Sequence, residues 1–421
     1  MGRSKQQEGD FAQQPRLWTP MFIMIIGVAL CCFMMGMGLN SGTTVYMTSA
    51  GYGSSLAGVM ALVFSLAAAV ARLFAGVIID AGKCSLAYVS GLAILVVGTL
   101  LCAFFDNVWV IGIARVLQGV GFSLGTTAQS AAAADVLPEE RLGEGIGYAG
   151  LGQALAMSVG PALALFLVGT DPAANLFYGL ALVGMVGLVI SLNARYERKV
   201  QKLPPTCAYR RRWERRQQGG EVEPERKRGL RDVLNIFEPR ALPGALPMCI
   251  LCPMTGFGIF FVGAYGAHLG YGGAGLFFTV AAVVMVVIRL SSKSFMDRVP
   301  AIKVFAAACL AGLVCCGLLM ASGVSQVLFV AAGVFYGASM GLSLPINQTV
   351  MSRNTPSERW GAANALFWLL YDVTIGVFSA VWGVLNESFG YPVTLWCVVA
   401  LIVLSFVCAC VVYPADQKRW R

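Results

Sequence analysis

The sequence predicts an all-α membrane protein, with twelve transmembrane helices arranged as two pseudo-symmetric six-helix bundles. Composition gives the first reason. Of 421 residues, 57% are hydrophobic and only 12% charged, about half the charged share of an ordinary soluble domain, and the mean hydropathy is +0.73. Repetition gives the second. Arg72-Leu73, followed by Asp80, recurs as Arg289-Leu290, followed by Asp297, at an offset of 217. Pro138-Glu-Glu-Arg141-Leu-Gly143 is echoed by Pro356-Ser-Glu-Arg359-Trp-Gly361 at 218, and Gly51-Tyr52-Gly53 by Gly270-Tyr271-Gly272 at 219. Self-similarity at a fixed period sets the architecture before any residue is given a role. In a membrane protein, such duplication is the usual build of a transporter whose site lies between the halves.

The elements follow in order. Apolar stretches of about 18–22 residues suffice to cross the hydrocarbon core as helices. Polar residues 1–20 lead into span 1, Met21–Asn40, without the short apolar core and cleavage site of a secretory signal. Span 2 is Leu56–Phe74, span 3 Ser85–Phe104, span 4 Val108–Gln129, span 5 Gly147–Leu167 and span 6 Asn175–Leu192. A basic stretch, 195–243, then separates the copies. Span 7 is Leu246–Tyr265, span 8 Leu276–Leu290, span 9 Val304–Ser322, span 10 Leu328–Leu344, span 11 Ala362–Leu385 and span 12 Val393–Val412. The predicted organisation is a tail (1–20), a first bundle (21–194), a linker (195–243), a second bundle (244–413) and a tail (414–421).

Basic residues set the orientation. Lys83, Arg141, Lys293, Arg298, Lys303, Arg353 and Arg359 fall on one side with the termini and the linker, whereas the opposite loops hold Asp106, Asp171, His268 and Glu387 and no Lys or Arg. Positive charge stays inside, so both termini of this multi-pass protein are expected to be cytoplasmic. Much of the +9 net charge lies in linker runs such as Arg210-Arg211-Arg212 and Arg226-Lys227-Arg228. Topology accounts for those runs as a mobile, solvated linker that touches anionic headgroups, so no nucleic-acid partner is expected.

Other chemistries are excluded in turn. Nearly all of the thirteen cysteines lie in spans, where Cys acts as a small apolar residue. Cys84 and Cys207 are expected to be water-exposed. Cys249-x-x-Cys252 stands with no second pair and a single His in the chain, so no metal site or cofactor is expected. Gly76 to Gly82-Lys83-Cys84 misses the phosphate-loop spacing by one residue and has Cys where Ser or Thr would hold Mg²⁺. An intramembrane enzyme would need a nucleophile–base set or several ligands within the spans, which makes it a distant alternative.

Gly76-x-x-x-Asp80 with Gly82-Lys83, between spans 2 and 3, resembles the signature loop of the major facilitator superfamily, and Asp297-Arg298 keeps part of it in the second copy. Arg115-Val-Leu-Gln118-Gly119-Val-Gly121 in span 4 is similar to that superfamily's Arg-x-x-Gln-Gly-x-Gly pattern. Gly147, Gly152 and Gly160-Pro161 in span 5 resemble the motif of its antiporters, including bacterial drug and metabolite efflux members. The resemblance implies two bundles rocking about a midplane site, a monomer, and a place in the inner (cytoplasmic) membrane. It also implies gating roles for Gly76, Asp80, Gly82, Lys83, Gly160, Pro161, Asp297, Arg298 and Arg359. In the family the loop Asp braces the cytoplasmic end of one half against the other; Asp80 is expected to do so near the N-terminus of span 11, where the helix dipole favours an anion, with Lys83 and Arg359 as candidate partners.

Two ionisable residues inside spans are the leading functional candidates. Asp372 lies about mid-depth in span 11, on a face with Asn364, Trp368, Gly376 and Ser379 and opposite Phe367, Leu370 and Val377. A carboxylate held at that depth is costly and marks a proton carrier. Arg115 lies on the face of span 4 that carries Gln118, Phe122, Thr126 and Gln129, and a buried Arg needs an acceptor or an anionic ligand. Further substrate-binding candidates are Asn40, Gln153, Tyr265, Asn347, Trp368 and Tyr371. The sequence thus points to proton-coupled export of a small hydrophobic compound. The alternative is an organic-anion (carboxylate) uptake or exchange carrier, with Arg115 as clamp and Asp372 as its resting partner. The absence of a second cavity cation in the spans is read as favouring export.

Overall fold

The computed structural model describes residues 16–80, 84–170, 172–217, 238–272, 274–295, 299–356 and 359–413. Gly82, Lys83, Asp297 and Arg298 lie outside the described residues, as does the side chain of Asp80. The twelve predicted spans are twelve helices: α1 (Pro20–Ser49), α2 (Ser54–Asp80), α3 (Cys84–Phe104), α4 (Val108–Val136), α5 (Leu142–Val168), α6 (Asn175–Asn193), α7 (Leu242–His268), α8 (Gly275–Phe295), α9 (Ala301–Ala321), α10 (Gln326–Asn354), α11 (Trp360–Phe389) and α12 (Tyr391–Val412). Eleven are long and apolar enough to cross a bilayer; α8 contributes a shorter apolar stretch, Gly275–Ser291. Several run beyond the predicted spans; α1 continues past Asn40 to Ser49, so Asn40, Thr43, Thr44 and Tyr46 all lie buried within it. Large apolar side chains such as Trp109, Leu182, Leu310 and Trp396 are exposed on the outer faces, where only lipid can cover them.

The duplication is visible in packing. In the first half α4 packs on α2 and α3, and α1 packs on α5 and α6; in the second, α10 packs on α8 and α9, and α7 on α11 and α12. The halves meet along three seams, α2 with α11, α5 with α8 and α1 with α7. Small residues make these approaches possible, since lipid offers helices no hydrophobic drive to associate.

The repeated motifs are helix boundaries. Gly51 and Gly270 take positive φ, 87° and 77°. Tyr52 N–H donates to Met47 O (3.0 Å) and Gly51 N–H to Thr48 O (3.3 Å), while Tyr271 N–H donates to Gly266 O and Gly270 N–H to Ala267 O (both 2.9 Å). Each Gly-Tyr-Gly therefore closes α1 or α7 with the same Schellman turn, and only Gly adopts that φ without strain. The Pro-x-Glu-Arg echo is likewise one turn used twice, with Arg141 N–H donating to Pro138 O (3.1 Å) and Arg359 N–H to Pro356 O (2.9 Å) ahead of α5 and α11.

The start of the linker is docked, not free. Tyr196 is fully buried and its hydroxyl donates to Asp135 Oδ2 at 2.6 Å. Cys207 pairs its backbone with Pro138, and Arg211 reaches Glu140 at 2.8 Å from a short linker helix, Ala208–Gln217. Residues 218–237 lie outside the description. The expected exposure of Cys84 and Cys207 is corrected, because both are buried. The Cys84 thiol donates to Ala128 O at 3.0 Å, and burial pushes the Cys207 thiol above its ordinary range, which leaves it inert as a nucleophile.

Candidate functional site

At the ends of the helices away from the linker, the two halves are tightly closed. Gly58 of α2 faces the backbone of Ser379 and Gly383 in α11, and Gly383 faces Ser54 O. The Glu387 carboxylate at the end of α11 accepts from Ser55 N–H at 2.8 Å, an anion at the N-terminus of α2 where the helix dipole favours it. Gly275 of α8 abuts Ala162 of α5, and Gly263 of α7 abuts Leu165 and Val45.

Further toward the linker, the α2–α11 seam carries a charge pair. Asp372 Oδ2 accepts from Arg72 Nε at 2.9 Å and from Nη2 at 2.8 Å, with side chains 16% and 15% exposed. Arg72 Nη1 also donates to Thr127 Oγ1 of α4 at 3.4 Å. The polar, small-residue face of α11 is therefore its contact with α2: Gly376 packs on Ser65 and Ser379 on Gly58, so Asp372 points into the seam.

Tyr371, the next residue round α11, is turned toward a cavity between the halves. This space of about 30 Å³ is lined by Arg289 of α8, Tyr371, Tyr336, Thr255 and Ser158, with methionines and other apolar side chains around them. It has room for one or two waters in its present closed form. Arg289 Nη1 donates across the seam to Gly150 O of α5 at 3.0 Å. The expectation that the spans hold no further cavity cation is thus corrected. Arg72 and Arg289 lie inside α2 and α8, at equivalent places in the repeat, and both reach into the opposite half.

Arg115 lies elsewhere. It is 1% exposed, within the first bundle, and donates to Met60 O (3.2 Å), Gln118 Oε1 (3.1 Å) and Asn40 Oδ1 (2.6 Å), with the Phe64 ring 4.5 Å away. Gln118 passes the network on to Gly98 O, and Phe122 packs against Phe33 and Phe64. The structure thus joins Arg115 to Asn40 and Gln118, and Asp372 to Arg72.

The remaining predicted positions scatter. Gln129 is buried and donates to Ser130, and Gln153 is partly buried in α5. The Tyr265 hydroxyl donates to Leu319 O near the far end. Asn347 sits inside the second bundle, donating to Ser343 O and accepting from Tyr413. Trp368 packs on Tyr371 with ring centroids 5.3 Å apart. Among the gating positions, Gly76 lies in the last turns of α2, and Gly160 closes on the Met34 backbone of α1 beside Pro161, which lies inside the continuous helix α5. Arg359 donates to Glu238 Oε2 at 2.7 Å. Sequence reasoning missed Arg72 and Arg289 as functional groups. The signal was present, since an Arg inside an apolar span calls for a named partner.

The comparisons agree with this architecture. An uncharacterized MFS-type transporter of Mycobacterium tuberculosis is 29% identical over 185 residues, 42% of this chain and 30% of that protein's length. The fold resembles the nucleoside transporter NupG (TM-score 0.68, 12% identity, 95% of this chain and 100% of that one). It also resembles the xylose transporter XylE from E. coli in a partially occluded inward-open conformation (TM-score 0.67, 12% identity, 92% and 96%). The sequence model of the Major Facilitator Superfamily matches residues 24–379, and with twelve helices in two pseudo-symmetric bundles the chain belongs to that superfamily.

Proposed function

We propose that this transporter couples proton movement to the export of a small, largely apolar compound across the cytoplasmic membrane by alternating access, as a monomer with both termini inside. Its family makes it a transporter and not an enzyme. The observation that carries the coupling is the Arg72–Asp372 pair, a titratable carboxylate that ties one half to the other. Ionised, Asp372 holds α2 against α11. Protonated, it loses the charge that attracts Arg72, and the seam is free to part. Desolvation in the seam makes that change matter more than it would in water. The apolar lining of the neighbouring cavity, including Met285, Met340 and Phe278, suits an apolar cargo. Basic linker runs and loops support the orientation.

Purified protein in liposomes with an imposed pH gradient tests the coupling. Wild type should accumulate an apolar probe against its gradient and move protons in the opposite direction. Asp372→Asn should still exchange probe down its gradient but lose accumulation. Uphill transport by Asp372→Asn would refute the role given to this carboxylate.

A further inference from the structure

The cavity between the halves is unequally walled. Among its lining residues only Met157 and Ser158 of α5 come from the first half; the others belong to α7, α8, α10 and α11. The repeat brings out the difference. At the offset of 218, Gln118 corresponds to Tyr336 and Phe122 to Met340. In the first half these positions are buried within the bundle, Gln118 against Arg115 and Gly98 O and Phe122 against Phe33 and Phe64. In the second half Tyr336 and Met340 line the cavity. We propose that this cavity is the binding site for an uncharged aromatic compound carrying one hydroxyl group, a lipophilic phenol, with Ser158 and Tyr336 sharing its hydroxyl and the methionines holding its ring. This rests on the transport reading above and names its substrate class.

The hydroxyls around this space are under-used. Ser158 is buried against the cavity, and among the described residues its Oγ makes no hydrogen bond. Thr255 Oγ1 donates to the Met340 thioether at 3.0 Å, a weak acceptor, and the Tyr336 hydroxyl reaches Thr255 O only at 3.4 Å. A buried hydroxyl without a partner keeps its full desolvation cost. A ligand hydroxyl relieves that cost, because it both donates and accepts. The rest of the lining is matched to a ring. Met157, Met285 and Met340 offer thioethers that favour aromatic edges and adapt to varied shapes, and Phe278 and Tyr371 add aromatic faces. Thioethers and rings give an ionised group little in exchange for its water, and a neutral hydroxyl gives up far less. At about 30 Å³ the cavity is the closed form of the site, so a phenol enters only as α5 and the second bundle move apart. Ser158 lies on one side of that parting and Tyr336 on the other, so one ligand hydroxyl engages both halves at once.

Calorimetry on the purified full-length protein compares para-butylphenol with two matched analogues. In para-butylfluorobenzene a group of similar size replaces the hydroxyl and cannot donate; para-butylcyclohexanol keeps the hydroxyl and loses the aromatic ring. Wild type should bind the phenol at least about fivefold more tightly than either analogue. Ser158→Ala and Tyr336→Phe should each lose most of the preference over the fluoro compound, and Ser158→Thr should keep part of it. Without ligand, Ser158→Ala should unfold at the wild-type temperature or above it, since the hydroxyl it removes has no bond to lose. Equal binding of the phenol and either analogue by wild type, a preference that survives Ser158→Ala, or a clear fall in the unfolding temperature of that variant overturns the proposal. So does tighter binding of para-butylbenzoate than of the phenol, or no phenol binding at millimolar concentration. The coupling reading fails separately. Ser158-dependent phenol binding without proton-driven transport in liposomes would sink the coupling alone, and proton-driven transport of the fluoro compound as readily as the phenol would sink the phenol site alone.

Discussion

Replacing Asp372 by Asn and Arg72 by Gln, singly and together, measures what the α2–α11 charge pair is worth. Breaking one side of a fully buried ion pair costs about 3–5 kcal/mol, and a solvent-exposed pair is worth about 0.2–1 kcal/mol. This pair lies between those limits, because both Arg72 donors converge on one oxygen at 2.8 and 2.9 Å while 15–16% of each side chain remains exposed. Each single substitution should therefore cost about 2 kcal/mol, a value reduced from the buried limit for solvent screening. In the double variant neither charge is left uncompensated, so the loss should be about 2–3 kcal/mol in total and the coupling about 1–2 kcal/mol. Since the pair joins the two halves, 2 kcal/mol corresponds to a shift of about 30-fold between joined and parted seams. Reversible unfolding in mixed detergent gives the stabilities. Cross-linking of cysteines introduced at Ser65 and Gly376, which touch in the seam, gives the populations. Strictly additive losses, or cross-linking unchanged in both single variants, would refute the assignment of the pair as an interdomain lock.

Four more outcomes can be checked. Gly383→Leu places a side chain against Ser54 O and Gly58; it should cost about 1–3 kcal/mol by overpacking and raise labelling of a cysteine placed at Ser54. Glu387→Ala removes the acceptor of Ser55 N–H, a cap shared between the halves, and should lower the thermal unfolding temperature. Arg115→Met orphans Asn40 Oδ1 and Gln118 Oε1, and should destabilise by about 2–4 kcal/mol; Asn40→Leu combined with it should cost less than the sum of the two when unfolding is measured. The hydrogen bond from Arg359 holds the Glu238 carboxyl below its ordinary range. Its contribution is therefore present above the usual carboxylate value, about 4.3, and is lost only as pH falls through the lowered one. Emission from Trp360, isolated by difference against Trp360→Phe, should show that acid step in wild type and lose it in Glu238→Gln.

Much of the fold was legible because membrane insertion leaves a strong record in sequence. Length and hydropathy give the spans, and the duplicated motifs give the halves. Gly51 and Gly270 repeat because one turn geometry is needed twice. Arg141 and Arg359 repeat because each closes a tight turn before a helix. The docked start of the linker was not legible, since Tyr196 and Cys207 bury themselves through contacts with Asp135 and Pro138 that lie about 60–70 positions away and carry no periodicity of their own. For the site, the helical face of Asp372 could be read but not what covers it. Gly376 and Ser379 look equally suited to a water-lined cavity and to a close helix seam, and only the approach of Ser65 and Gly58 decides for the seam. Arg115 and Asp372 were plausible partners by depth alone. Depth does not distinguish the interior of one bundle from the boundary between two.

The repeat also shows where the two halves have stopped being equivalent. Duplication supplies two arginines at one structural address, and each crosses to the other half. Across the α2–α11 seam Arg72 meets a carboxylate, and across the α5–α8 seam Arg289 donates to the Gly150 carbonyl. Both bonds have an ionised guanidinium donor, but only the α2–α11 bond also has an ionised acceptor while Asp372 carries its charge. On the coupling proposed above, protonation of Asp372 would act on the α2–α11 seam, where its partner is Arg72. Arg289 borders the cavity between the halves, and Arg72 is not among its lining residues. Loss of the Asp372 charge would therefore weaken one seam and leave the Arg289–Gly150 bond of the other as it is, so the two copies of the repeat no longer answer to the same change.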